Sequence, residues 1–463
     1  MVSFDPCRLH LADAPVFYTF YDTLYRFDDN YKATPQLAES WEIQDEGKRL
    51  VFKLRKGVTY HTGREMSADD VVFSLKRYQD KDVAANLRPL ALFITNVKAD
   101  DKSTVSFQME KRNAAIMDLF DQMYIMDQET IKDVKTRAIG TGPFKFKSWI
   151  PGQKVVAERN PNYWKSGRPY LDAIEISSIP DAAALSVSLE SGAVDMAERL
   201  APQDLKRLQA SPNLDIAIAG AGASINSVLL NVKKPPFNNQ RLRAAVDLAI
   251  NRDRFAQIHY YGFSKGQCLP VAKSSPGYFA DQDIYEFNLD KARQLSRDAG
   301  ITDLNVTMIV STAGGWGSEK LAKIMQGELK SIGINLKIED VPQPVILARA
   351  LRMDYECVSW LYGRTSKDPI TMYTGARPFL PDCEQNITGF CSDRLKQLVD
   401  AGASTYDAEK RKPILRELNQ LVRTELFNLP VAPAFFGFAS WKKVQGFKAN
   451  LDGWPILEEV SLS

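Results

Sequence analysis

An α/β fold in at least two lobes is what this sequence predicts, and three observations carry it. The chain has 463 residues, long enough for two or three domains at the usual ~100–200 residues each. Short runs of β-type alternation recur between helical stretches along its length. Between Asn305 and Val341 a strand, a loop, a helix and a second strand follow in βαβ order, which favours a parallel pair.

Taken in order, "KRLVFKLRKGVTYHTG" reads as a strand with Leu50, Phe52 and Leu54 on one face, ending in a glycine turn. In "SADDVVFSLKRYQD", Ser67 can cap a helix whose first turn carries Asp69 and Asp70, with Val71, Val72 and Leu75 on one face. "TVSFQME" is a strand. "GTGPFKFKSWIPGQKVVAERN" reads as a hairpin turning at Pro151-Gly152. "YLDAIEISSIP" is a strand, and "DAAALSVSLESGAVDMAE" a helix closed by Gly192. "RLRAAVDLAINRDRFAQIHY" has the periodicity of one continuous helix. "DYECVSWLY" is a further strand, and the stretch from Ser392 to Leu426 supplies two helices. No repeat and no low-complexity tract interrupts the pattern.

Composition narrows the function classes. Lys plus Arg number 59 against 57 acidic residues, a net charge of +2, with no block of like charge. Nucleic acid and anionic membrane surfaces are therefore poor candidates for a main partner. The longest apolar runs fall well short of the ~20 residues that cross a bilayer, which predicts a soluble chain. The opening "MVSFDPCRLH" has neither a basic nor an apolar export region. Cys383 and Cys391 lie in "CEQNITGFC", a glycine-containing loop that can close as a disulfide or stay reduced; Cys7, Cys268 and Cys357 are scattered.

Tools for chemistry are sparse. The three histidines, His10, His61 and His259, are far apart, so a histidine metal cluster is not expected, and no cofactor is implied. CxxC, HExxH, P-loop and GxSxG patterns are missing, and "GAGAS" at Gly220 lacks the third glycine of a dinucleotide loop. Asp69-Asp70 reads as helix N-terminal charge rather than a catalytic pair. Aromatic residues are plentiful instead: 23 Phe, 17 Tyr and 7 Trp. Trp316 in "TAGGWGSE" and Trp360 with Tyr362 in "SWLYGR" fall where strands end, and pockets in α/β sheets form at such carboxyl ends. Ordinary core or rim packing accounts for such aromatics equally well.

Several blocks together resemble one family. "ATPQLAESWEIQDEGKRLVFKLRKGVTYHTGREMSADDVVFSLKR" is similar to the signature of the extracellular solute-binding proteins of ABC importers, family 5, which includes oligopeptide, dipeptide, nickel and opine binders. "GTGPFKF", "ERNPNYWKSGRPYLDAIEI", "LLNVKKPPFNNQRLRAAVDLAINRDRF", "SPGY", "NLDKARQLSRDAG" and "GELKSIGINLKIE" continue the likeness in order over nearly the whole chain. The resemblance implies a two-lobed clamp of the periplasmic-binding-protein type (type II, three-domain, cluster C), closing by a hinge over a small-molecule ligand. It implies a discontinuous domain (1–28, 164–229 and 435–463), an inserted domain at 29–163, and a second lobe at 230–434, with crossings near Ser227–Leu230 and Ala432–Phe435. "VSFDPCRL" resembles the family's "SLDP" segment, without the signal peptide and first strand that ordinarily precede it. The family implies a monomer in the periplasm, or tethered outside the membrane, that serves an ABC permease and catalyses nothing.

The resemblance also directs attention to the strand in "SWLYGRTSKDP". In peptide-binding relatives an aspartate three residues after this tryptophan grips the ligand's α-amino group. Here that position is Gly363, followed by Arg364. An anion is lost and a planar cation gained, which suits a carboxylate or phosphate better than an ammonium. The expected ligand is anionic or zwitterionic, an opine-like conjugate or a metal chelate, with di- and oligopeptides as the alternative. The candidate ligand-binding residues are Trp316, Trp360, Tyr362, Gly363, Arg364 and Phe17. An α/β enzyme and a chaperone-like or signalling receptor remain competing classes; turnover would mark the first, and independence of a permease the second.

Overall fold

The computed structural model describes residues 3–8, 14–312, 316–363 and 365–463, with 14 and 15 as backbone only. The chain divides into two compact units. Unit 1 comprises Met1–Ala219, Ala403–Tyr406 and Phe436–Ser463; unit 2 comprises Gly220–Gly402 and Asp407–Phe435.

Among its described residues, unit 1 holds a four-stranded antiparallel sheet in the order Ala38–Gln44, Arg49–Leu54, Thr104–Met109, Ile94–Asp101. Leu50, Phe52 and Leu54 are buried against Val71 and Leu75 of the Ala68–Gln79 helix, as their spacing requires. The start of that helix explains the paired aspartates. The Asp70 carboxylate accepts the Ser67 backbone N–H at 3.0 Å and is itself held by Arg64, at 3.1 Å from Nη1. Asp70 is a buried capping group with a partly exposed cation partner. The hairpin forms as expected, Phe144–Ile150 against Lys154–Arg159, with Gly152 at φ +72° and Ala173–Ser177 as third strand. A further, three-stranded sheet places Phe436–Trp441, from near the C-terminus, between Met196–Glu198 and Leu214–Ala219. In the short segment Ala403–Tyr406, the Tyr406 hydroxyl donates to the carbonyls of Gly47 (3.0 Å) or Asn113 (3.1 Å).

A buried charge network ties distant parts of unit 1 together. Glu458 accepts from the Tyr163 hydroxyl at 3.1 Å and from Lys165, and lies 3.7 Å from Arg26. Asp22 accepts from Trp164 at 3.0 Å and Thr141 at 3.1 Å. Burial alone would raise both carboxyls; Arg26 and Lys165 hold that of Glu458 below the usual range, while burial prevails at Asp22.

Unit 2 is built on one mixed sheet, ordered Ile334–Asp340, Leu304–Val310, Cys357–Gly363, Ser224–Leu230, Asn428–Pro433. The first three strands are parallel, including the βαβ pair read from the sequence, whose crossover helix is Ser318–Lys330. Ser224–Leu230 runs antiparallel to both its neighbours. The single helix expected across Arg241–Tyr260 is two, Gln240–Ala249 and Arg252–Tyr260. The break has a local cause. Ile250 takes an extended conformation (ψ 109°), and the Asn251 side chain accepts the Arg254 N–H at 3.0 Å, starting a new helix where periodicity alone shows no interruption. Cys383 and Cys391 form a disulfide, their Cα atoms 5.2 Å apart; Cys7, Cys268 and Cys357 are buried free thiols.

Candidate ligand-binding site

The register of unit 2 gathers its loops on one edge. Gly363 ends its strand opposite Ser224, which begins the next, and Pro433 ends its strand opposite Ile225. The parallel partners end on the same edge at Val310 and Asp340. Asp340 fastens the loop after Val310, accepting from Thr312 N–H at 3.1 Å and from its hydroxyl at 2.8 Å. The loop after Gly363 is fastened too: the Thr365 hydroxyl donates to the Gly222 carbonyl, and Ala272 N–H to the Thr365 carbonyl at 2.8 Å.

Four of the candidate residues belong to this edge. Trp316 and Gly363 sit beyond or at the ends of neighbouring strands, with Trp360 and Tyr362 leading into Gly363. Trp360 and Tyr362 share a face of the sheet with Ile225 and Ser227. Trp360 is half-buried against the cluster that includes Leu229, Ile309 and Val358, whereas Tyr362 is only 3% exposed, edge-on to Phe379 at 5.0 Å. The Tyr362 hydroxyl and the Ser227 Oγ, both buried on that face, have no hydrogen-bond partner, and burial drives the Tyr362 pKa well above its ordinary value. Arg364 lies outside the described residues, as does His10. Phe17 belongs to unit 1, buried in an aromatic core with Tyr21 and Tyr124.

Gly363 has open space. A Cβ there would meet Ser224 Oγ at 3.6 Å and Ala223 O at 3.7 Å, ordinary contact distances, so a side chain is sterically admissible. Gly317, beside Trp316, is the opposite case. At φ +79° it leads the Ser318–Lys330 helix, and a Cβ would approach the His259 ring to 2.6 Å. His259 stacks on Phe255, and burial, with Lys320 adding, lowers its pKa to about 4.

Two contacts behind this edge went unread in the sequence. Asp368 is clasped by Arg411, Oδ1 to Nη2 at 2.7 Å, while the same Oδ1 accepts the Ile370 N–H at 2.9 Å. Asp-Pro at the head of a helix is a readable cap signal, but nothing local points to Arg411. Asn226 donates to the Tyr260 hydroxyl on the opposite face of the sheet, a pairing equally silent in sequence.

The model of the bacterial extracellular solute-binding proteins, family 5 (middle region), matches residues 32–377, about three quarters of the chain. The chain belongs to this family. As a family 5 protein it is the substrate-binding component of an ABC importer, a class that delivers ligand to a membrane permease. The peptide transport periplasmic protein SapA of Salmonella typhimurium is 25% identical over 94% of this chain and 83% of its own length. DppA of Helicobacter pylori, solved in complex with the peptide STSA, superposes with TM-score 0.81 at 25% identity, covering 99% of this chain and 96% of its own. The family 5 fold is also shared with AgaA from A. tumefacien R10, solved in complex with agropinic acid (TM-score 0.81, 20% identity, 100% and 96% covered).

Proposed function

We propose that this family 5 protein captures an anionic or zwitterionic solute, an opine-like conjugate or a metal chelate, in the periplasm and passes it to its permease unchanged. The observation that carries this reading is Gly363: the strand end where peptide-binding relatives place a carboxylate has no side chain and room for one, and Arg364 follows it. Without an anion there, a free ammonium has lost its partner; arginine, the next residue in the sequence, carries a planar fork of donors suited to a carboxylate or phosphate. The agropinic acid held by AgaA is a ligand of the proposed class.

Calorimetry with agropinic acid, a nickel–histidine complex and free dipeptides tests the reading. Arg364→Ala is expected to lose ~1.5–3 kcal/mol toward the best-bound anionic probe, the range for a hydrogen bond to a charged group. Gly363→Asp is expected to shift preference toward free-amine peptides. Tight binding of free-amine dipeptides by the unaltered protein, with Arg364→Ala neutral, would refute it. That outcome favours the second reading, a di- or oligopeptide receptor, which the names of SapA and of DppA's bound peptide support.

A further inference from the structure

We propose that the head of the Ser318–Lys330 helix, with His259 and Lys320 beside it, is a further subsite of unit 2 that takes an oxyanion of the solute, a carboxylate or a phosphate. The inference deepens the proposed function and rests on the solute's being anionic or zwitterionic. It begins with a missing cap. Helices ordinarily start on a residue whose side-chain oxygen accepts an N–H of the first turn. Here that residue is Gly317, at φ +79°, and no side chain caps the helix. The place of its side chain is taken: a Cβ would meet His259 Cγ and Cδ2 at 2.6 Å and Nδ1 at 2.8 Å. The first backbone bond of the helix runs from Leu321 N–H to the Gly317 carbonyl at 2.9 Å. Among the described residues, the N–H groups of Ser318, Glu319 and Lys320 ahead of it have no acceptor.

The imidazole that fills the place of the cap is itself incomplete. His259 is 6% exposed, stacked on Phe255 with ring centroids 5.4 Å apart and pressed against Gly317, and its Nδ1 has no hydrogen-bond partner. A buried polar atom left in that state costs about 1–3 kcal/mol. With its proton on Nδ1, the ring adds a donor to those of the helix head. Lys320, in the same turn, is exposed; its Nζ lies 5.9 Å from the centroid of the Tyr261 ring and, among the described residues, pairs with no carboxylate. Glu319, the one acid of that turn, is paired along the helix with Lys323. Backbone N–H groups, an imidazole N–H and an ammonium therefore stand together with no acceptor among them, at the positive end of a 13-residue helix. The complement of such a set is an anion. The helix is the crossover between Leu304–Val310 and Ile334–Asp340, so its head lies on the sheet edge where Gly363 ends the neighbouring strand. Ligands of open α/β sheets are held at that carboxyl edge.

The test uses full-length protein, the variants His259→Phe and Lys320→Gln, and four probes: agropinic acid, the dipeptide Ala-Phe, its C-terminal amide and inorganic phosphate. The chain has only three histidines, so the imidazole NMR signals of His259 are identified by their loss in His259→Phe. The carboxylate probe that binds best should shift those signals. Its affinity should fall about 10- to 150-fold in His259→Phe, with binding of the amide unchanged. Lys320→Gln, an exposed change that keeps the helix, should weaken it about 2- to 5-fold and carries the test should His259→Phe lower the melting temperature. Unmoved His259 signals with undiminished affinity in Lys320→Gln would overturn the proposal, as would failure to bind any carboxylate probe. Phosphate moving the signals where no carboxylate probe does would place a free ion at the helix head and overturn the assignment to the solute. If Ala-Phe binds best and both variants weaken it, the subsite stands and the opine-type reading falls. If agropinic acid binds best and neither variant weakens it, the reverse holds.

Discussion

Replacing Arg411 by methionine isolates the buried ion pair behind the candidate site. The side chains of Arg411 and Asp368 are 9% and 3% exposed, and the guanidinium makes two contacts to the carboxylate and one, at 2.7 Å, to the Gly402 carbonyl. Methionine fills much of the volume but leaves a buried carboxylate without its cation, a change that costs about 3–5 kcal/mol. The Ile370 N–H still bonded to Asp368 places the expectation toward the lower end. For a unit of this size each kcal/mol moves the midpoint by about 2–4 °C, so unit 2 should melt roughly 6–20 °C earlier. Urea titration followed by tryptophan fluorescence reads the free energy, and hydrogen exchange in the Pro369–Gly375 helix reports where it was lost. Adding Asp368→Asn to Arg411→Met removes the stranded charge and should recover part of the loss. A single variant within about 1 kcal/mol of the unaltered protein would mean that the pair is not an energetic element of unit 2.

Further outcomes are expected from His61, the disulfide and the tryptophans. His61 is pinned neutral: its Nε2 lies 3.0 Å from the Gly142 carbonyl, its Nδ1 accepts the Gly140 N–H at 3.3 Å, and burial lowers its pKa to about 4. The folded state thus binds fewer protons than the unfolded one, so stability present above pH ~6.5 is lost as pH falls toward 4, by up to about 3 kcal/mol. His61→Asn should flatten that dependence in unit 1, and an unchanged slope would assign it to other groups. Reducing Cys383–Cys391 reopens a short loop and should cost unit 2 about 2.5 kcal/mol on chain-entropy grounds, read as a lower urea midpoint. Trp316→Phe and Trp360→Phe should each diminish the fluorescence change on titrating the best-bound of agropinic acid, the nickel–histidine complex and the dipeptides; if neither does, both residues are structural.

Much of the fold was legible because it is local. Leu50, Phe52 and Leu54 declare a strand face, Ser67 with Asp70 declares a helix start, and the βαβ stretch from Asn305 declares parallel strands. The break at Ile250 was not legible, because apolar periodicity carries across a residue whose neighbour caps a new helix. Nor was the Arg411–Asp368 clasp, since two charges far apart in sequence look like two surface charges until the fold buries them. The strand Phe436–Trp441 is hard to read from sequence for a similar reason: both its partners precede it by more than two hundred residues. At the candidate site the sequence located the strand ends and the empty position at Gly363. It could not tell that Tyr362 is turned into the core beside Phe379, because aromatic identity is the same for a wall and for a core.

The place of that late strand bears on how the protein is made. Met196–Glu198 and Leu214–Ala219 hydrogen-bond to Phe436–Trp441 and not to each other. A chain emerging from the ribosome N-terminus first thus carries two strand segments with no partner until all of unit 2 has been synthesised. Glu458, which joins Lys165 and Tyr163, arrives later still. Unit 1 must wait in an unfinished state for its own last residues, while unit 2, needing only Gly220–Phe435 for its sheet, has every strand sooner. Such a delay prolongs the unfolded interval in which a chain can still be threaded through a narrow opening, and it makes any truncation near the C-terminus a lesion of the N-terminal unit.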